Sequence, residues 1–98
     1  MQFEWDAEKA TANARKHRVT FEEGETVFRD PFSLTFPDPD HRHGEHRYIE
    51  IGLSARGRLL IVSYTERQGR IRIISCRIAT RKERRRYEEA EDDRTGPG

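Results

Sequence analysis

The sequence predicts an α+β domain on a small, mainly antiparallel sheet, with elements in the order β-α-α-β-β-β-β-α. Three observations carry that prediction. An aspartate N-cap and two Thr-x-x-Glu capping boxes mark three helix starts. From residue 47 to residue 78 apolar side chains recur with period two, broken twice by turn residues. The chain is 98 residues long, which suits one domain.

Gln2 to Trp5 alternates and opens a short strand. Asp6 then caps a helix running to about Lys16 or His17. On it Ala7, Ala10 and Ala14 share a face suited to close packing against a sheet, while Lys9, Asn13 and Lys16 share another. Thr20-Phe21-Glu22-Glu23 is the first capping box, in which the Thr20 hydroxyl and the Glu23 carboxylate each satisfy an orphan amide. This second helix sets Phe21, Gly24 and Phe28 on one side and stops before Pro31. Phe32, Leu34 and Phe36 alternate with Ser33 and Thr35 as a half-buried strand, which the run PDPDHRHGEH breaks.

Three strands follow. Arg47, Ile49, Ile51 and Leu53 alternate with Tyr48, Glu50 and Gly52, and SARG turns the chain. Leu59, Ile61 and Ser63 alternate with Leu60, Val62 and Tyr64. That pattern is buried on both faces, so this strand is expected at the centre. RQG makes the next turn. From Arg70 to Ile78, one row holds Ile71, Ile73, Ser75 and Arg77, and the other holds Arg70, Arg72, Ile74, Cys76 and Ile78. Thr80-Arg81-Lys82-Glu83 is the second box and begins a helix crowded with arginine. DDRTGPG is too polar and too rich in Gly and Pro to stay ordered. The domain is therefore expected to span 1–91, with a disordered tail at 92–98.

Only 33% of the residues are hydrophobic and 38% are charged, so the core is thin. A net charge of +1 and the gathering of apolar residues into periodic blocks argue against disorder. No stretch approaches the roughly 20 apolar residues of a membrane span, and no N-terminal run resembles a signal peptide. The lone cysteine, Cys76, has no partner within the chain and reads as a small packed side chain. These features fit a cytoplasmic protein that does not engage a membrane.

A near-neutral total argues against a broad phosphate-binding coat and directs attention to where the charge lies. Arg67 ends one strand, Arg70 and Arg72 begin the next, and Arg77 stands where that strand meets the last helix. The hairpin and helix are expected to surround a concave surface with guanidinium groups, whose planar forks match phosphate oxygens. The plainer reading is a solvated helix on which Glu83, Glu88 and Glu89 pair with Lys82, Arg84 and Arg85. The run DPDHRHGEH sets His41, His43 and His46 beside Asp38, Asp40 and Glu45 and invites a metal reading. No second ligand pair supports it, so a hydrated loop is expected, with neither metal nor cofactor. Trp5 reads as an anchor between the first strand and a helix.

The blocks FEWDAEKATANARKHRVTFEEGETVF and RIRIISCRIATRKERRRYE, with GEHRYIEIG and GRLLIVSYTERQGR between them, closely resemble the BrnT family of bacterial type II toxins. The likeness runs from Phe3 to about Glu89. It implies a RelE-like ribonuclease fold, cleavage of RNA that stops translation, and neutralisation by a BrnA-type antitoxin. That antitoxin carries a ribbon-helix-helix part, through which alone the toxin would meet operator DNA. The chain departs from the family at three points: Cys76 stands where alanine is common, Gly24 where alanine is usual, and Arg18 where glycine often follows Lys-His.

A metal-independent ribonuclease must activate a ribose 2′-hydroxyl, stabilise a pentacoordinate phosphate and protonate a leaving oxygen. Arg67 and Arg77 are the candidates for stabilising the phosphate, each at a strand end where a sheet can hold it. Salt bridges to Glu45, Glu50 or Glu66 are the alternative for both. Lys16 and His17 close the first helix; His17 suits acid-base work or a helix cap equally. Glu45 suits a base or a group that orients an arginine. Tyr87 suits stacking or proton donation, or else the core. Lys9, Arg70, Arg72, Arg81, Arg84 and Arg85 complete the expected RNA contacts. The competing function is a nonenzymatic module that binds nucleic acid or an acidic protein through the same basic face.

Overall fold

A computed structural model of the chain describes residues 1–39 and 46–95. Elements follow in the expected order: β1 (Gln2–Glu4), α1 (Ala7–His17), α2 (Phe21–Thr26), a 3₁₀ turn (Val27–Arg29), β2 (Leu34–Pro37), β3 (Arg47–Leu53), β4 (Leu59–Arg67), β5 (Arg70–Ile78) and α3 (Arg81–Thr95). The strands lie in the order β1-β5-β4-β3-β2. β2, β3, β4 and β5 pair antiparallel in succession, while β1 joins β5 in parallel, so the sheet is mixed. β4 is central, as its two apolar faces require. α3 continues to Thr95.

The caps behave differently from one another. Asp6 accepts from the Lys9 amide at 3.0 Å, and that bond holds its carboxyl below the usual range. Thr20 Oγ1 accepts from the Glu23 amide at 3.0 Å, but the Glu23 carboxylate does not turn back to close the box. It is buried instead, accepting from Ser54 Oγ at 2.7 Å and Arg58 Nε at 2.9 Å, with Arg58 Nη2 closing the fork. A buried carboxylate needs a cation and hydrogen bonds around it. Arg58, at the start of β4, supplies both and holds Glu23 below its ordinary range. The second box closes fully: Glu83 donates its amide to Thr80 Oγ1 at 3.2 Å, and the Thr80 amide donates to Glu83 Oε1 at 2.8 Å.

The inward face of α1 also differs from the alanine face expected. Ala7 is exposed and Asn13 is buried. The Asn13 amide donates to Cys76 O at 2.8 Å and Val19 O at 3.0 Å, and its oxygen accepts from Cys76 N at 3.1 Å. β1 covers the outer edge of β5 only from Arg70 to Arg72. Asn13 satisfies the backbone further along, at an edge that would otherwise stay unpaired. Arg18 then ends α1 in the left-handed region at φ 57° and donates its amide to Ala14 O at 2.9 Å, the conformation that glycine adopts most easily.

Two cores sit on opposite faces of the sheet. On the α1–α2 face, Val19, Phe21 and Val27 pack on Leu60, Val62, Tyr64, Ile71, Ile73 and Cys76. Trp5 meets Phe21 edge-on there, with ring centroids 5.9 Å apart. On the other face, Tyr87 of α3 packs on Ile51, Leu59 and Ile61.

β5 corrects one expectation outright. Ser63 pairs with Ser75, but the next residue of β4, Tyr64, pairs with Ile73, so Ile74 is an extra residue forming a bulge. A bulge resets the alternation. Ile71 and Ile73 therefore face the α1–α2 core, while Ser75 and Arg77 face α3. The single row drawn through all four does not exist.

Candidate functional site

The bulge decides which arginines share a surface. Arg77 pairs with Ile61, Arg72 with Thr65, and Arg70 with Arg67. Ile61, Ser63, Thr65 and Arg67 occupy alternate positions on β4 and so point to one side. Arg47 joins them as the partner of Thr65 on β3. Arg47, Arg67, Arg70, Arg72 and Arg77 thus lie on the α3 face, over a floor containing Ser63, Thr65 and Ser75. An uninterrupted alternation would have sent Arg70 and Arg72 to the face opposite Arg77.

The five are spread along the sheet, and the expected juxtaposition of Arg67 with Arg77 is not met. Antiparallel pairing puts Arg67 beside Arg70 at the β4–β5 hairpin, while Arg77 lies near the far end of β5. At about 3.3 Å per residue, roughly 20 Å separates those positions. Arg77 is gripped by Glu83, Nη1 to Oε1 at 2.7 Å and Nη2 to Oε2 at 2.8 Å. Of the carboxylate partners expected for it, Glu50 and Glu66 are not the ones used among the described residues. Bidentate pairing fixes the guanidinium plane and pushes the Glu83 carboxyl down to about 2. Glu50 is buried on the opposite face, accepting from the hydroxyls of Ser33 and Thr35 at 2.7 Å and Tyr64 at 3.1 Å.

At the hairpin end, Gln68 and Gly69 make a two-residue turn with φ of 51° and 78°, the backbone of a tight primed turn. Beside it a hollow of about 440 Å³ is lined by Glu4, Arg67, Gln68 and Arg70. Glu4 receives Arg72 Nη1 at 2.9 Å and lies 3.9 Å from Arg70 Nη1. Arg47 lies 3.8 Å from Asp38.

Lys16 is exposed and His17 half-buried, and neither side chain makes a hydrogen bond or ion pair among the described residues. They close α1 next to Arg18, whose carbonyl receives Arg58 Nη2 at 3.2 Å. Arg58 leads into β4, and Leu59 O accepts from the Ala79 amide at 2.9 Å. Lys16 and His17 therefore lie at the Arg77 end of the sheet, where Arg67 does not, but on the α1–α2 side, whereas Arg77 faces α3. Glu45, His41 and His43 lie outside the described residues. Among the described residues no three His, Cys, Asp or Glu side chains cluster as metal ligands.

Of the places the sequence left open for Tyr87, the structure puts it in the core. It is 4% exposed, and its hydroxyl donates to Asp30 Oδ2 at 2.6 Å, an oxygen that also accepts from the Leu53 amide at 2.8 Å. Tyr87 docks α3 on the sheet. Lys9, Arg81, Arg84 and Arg85 are exposed, Lys9 in the first turn of α1 and the others on α3. Arg84 stands 4.0 Å from Glu88, the helical pairing of the plainer reading. Cys76 is fully buried, and desolvation pushes its thiol up to about 12, which suits packing rather than nucleophilic chemistry.

Sequence reasoning missed Arg47, Arg86 and Arg58 as site or framework residues. Arg47 had a signal, since it stands in phase with Ile49 and Ile51 in a row that faces inward. Arg86, whose guanidinium carbon lies 4.1 Å from the Phe36 ring centre, had none, because a helix of consecutive arginines does not say which one turns to the sheet.

A family model described as the ribonuclease toxin BrnT of type II toxin-antitoxin systems matches residues 5–83. The stretch includes β5 and the Thr80–Glu83 box. Among solved structures, the 1.1 Å crystal structure of the Brucella abortus ribonuclease toxin BrnT aligns with a TM-score of 0.65 and 23% identity, covering 83% of this chain and 99% of that one. That likeness is one of fold. No curated protein sequence matches the chain.

Proposed function

The chain belongs to the BrnT family of ribonuclease toxins of type II toxin-antitoxin systems, and on that premise we propose that it is a metal-independent endoribonuclease that halts translation. One observation carries the reading onto this chain's residues: the bulge at Ile74 brings Arg70 and Arg72 to the sheet face that holds Arg77, Arg67 and Arg47. The face supplies what a polyanionic backbone requires, and arginine forks are the donors that match it.

The 2′-oxygen attacks phosphorus, the bond to the 5′-oxygen breaks, and the products carry a 2′,3′-cyclic phosphate and a 5′-hydroxyl. Arg77, aimed by Glu83, meets the charge growing on the phosphate. Glu83 is a positioning residue. Lys16 and His17, at the same end of the sheet but across it from Arg77, are the groups proposed for proton transfer around that edge; Glu45 is a candidate for the base. The fold is read as RelE-like, and the partner as a BrnA-type antitoxin whose ribbon-helix-helix part binds the operator. The place of action is the cytoplasm. No helix of the described residues is long and apolar enough to cross a membrane.

The test is to free the purified chain from any partner, incubate it with RNA in chelator, and map the ends. Cyclic or 3′-phosphate termini that disappear with Arg77→Ala are expected. RNA that stays intact although tightly bound would replace the enzyme with a nonenzymatic binding module.

A further inference from the structure

The hairpin end of the arginine face lies too far from Arg77 to serve the same phosphate. One rung of the sheet there runs Arg47, Thr65, Arg72 and Glu4 across β3, β4, β5 and β1. Arg70 and Arg67 form the next rung, beside the hollow of about 440 Å³. Thr65 is 2% exposed, yet among the described residues its Oγ1 has no hydrogen-bond partner, and the buried Nε of Arg47 has only the Asp38 carboxylate at 3.8 Å. Buried polar atoms are nearly always satisfied, so the unbonded Thr65 hydroxyl beneath these guanidinium groups points to a ligand that completes it. Between Arg70 and Arg72 the place of an anion is held by Glu4, with 33% of its side chain exposed. Ion pairs at such exposure are worth little, so an oxyanion making charge-assisted bonds can displace this one.

We propose that Arg70 and Arg72, backed by Arg47 and Thr65, form a second phosphodiester-binding subsite, and that Glu4 is its built-in competitor. The subsite rests on the ribonuclease reading. It anchors the RNA strand away from the scissile phosphate. RNA is favoured over an acidic peptide because the same face continues along β5 to Arg77, matching the repeating charge of one strand.

The probe is a short 2′-O-methyl oligoribonucleotide, which binds without being cleaved, titrated against the full chain at several salt concentrations. Arg70→Gln is expected to weaken binding about tenfold and to lower the salt slope by about one. Glu4→Gln, which removes the competitor, is expected to tighten binding several-fold. Thr65→Val keeps the shape and removes the orphan hydroxyl; it is expected to fold at least as stably as the parent and to bind more weakly. If the parent cleaves RNA while all three variants bind as it does, the subsite is wrong and the ribonuclease reading stands. If Arg70→Gln and Glu4→Gln alter only the capture of polyglutamate, the face serves a protein and the proposal falls. A parent that neither binds the probe nor cleaves RNA would remove the reading beneath it.

Discussion

The sulfur of Cys76 occupies the space in which a side chain on Gly24 would begin. A Cβ built on Gly24 falls well inside contact with Cys76 Sγ, and Val62 Cγ2 bounds the same spot at 3.6 Å. Two departures that look independent in the sequence are therefore one: glycine on α2 makes room for cysteine on β5, where the family commonly has alanine at both. Gly24→Ala alone is expected to cost about 1–3 kcal/mol through overpacking. Combined with Cys76→Ala it should return to near the parent's stability, helped by the better helix propensity of alanine. Urea unfolding of the four-member cycle measures the coupling. Simple additivity would show that the two residues do not share a volume.

Asn13 carries the edge of β5 through two hydrogen bonds to the Cys76 backbone and makes a third to Val19 O. Asn13→Leu keeps the bulk and leaves those groups buried without partners, which should cost about 3 kcal/mol. Amide exchange should accelerate at Cys76. A loss within 0.5 kcal/mol, roughly the scatter of surface substitutions, would mean that water or a shifted α1 takes over the role.

Tyr87 offers a clean separation of framework from chemistry. Tyr87→Phe removes the hydroxyl bound to Asp30 and should lower stability by about 1 kcal/mol, read as a fall in Tm. Cleavage per folded molecule should be unaltered. Selective loss of cleavage at unchanged Tm would return Tyr87 to the active site.

Acid should weaken the fold through Glu83. Its folded pKa is depressed from 4.5 to about 2, so between those values the unfolded chain binds more protons and stability rises with pH. The Arg77–Glu83 contribution is complete above pH 4.5 and drains away as pH falls toward 2. Glu23, lowered by Arg58, acts in the same direction. Melting curves across this range should fall more steeply for the parent than for Glu83→Gln. Parallel curves would count against the pairing.

What the sequence disclosed and what it hid divide along a physical line. Helix starts at Asp6, Thr20 and Thr80 were legible because capping is local chemistry between residues three apart. The central place of β4 was legible because burial on both faces leaves a two-sided apolar record. Long-range partners were not. Glu23 reads as half of a capping box until Arg58, remote in sequence, claims it. Asn13 reads as exposed beside two lysines until the free edge of β5 is seen. Arg67 and Arg77 each end a strand, but only antiparallel pairing reveals that the ends are opposite ones. The bulge was least visible of all, since Arg70 to Ile78 alternates on paper without a break.

That bulge makes residue count, rather than residue type, the hidden specification of β5. Removing Ile74 alone would take out the one residue without a partner on β4 and smooth the strand into unbroken alternation, with Ser75 and Arg77 still towards α3 and Cys76 still in the oily interior. Substitutions at 74 should be absorbed easily, and a single-residue deletion there should still yield soluble protein that cleaves RNA, because every other pair with β4 is kept. An insoluble or inactive deletant would mean that the local twist of the bulge is needed as well as the parity it sets.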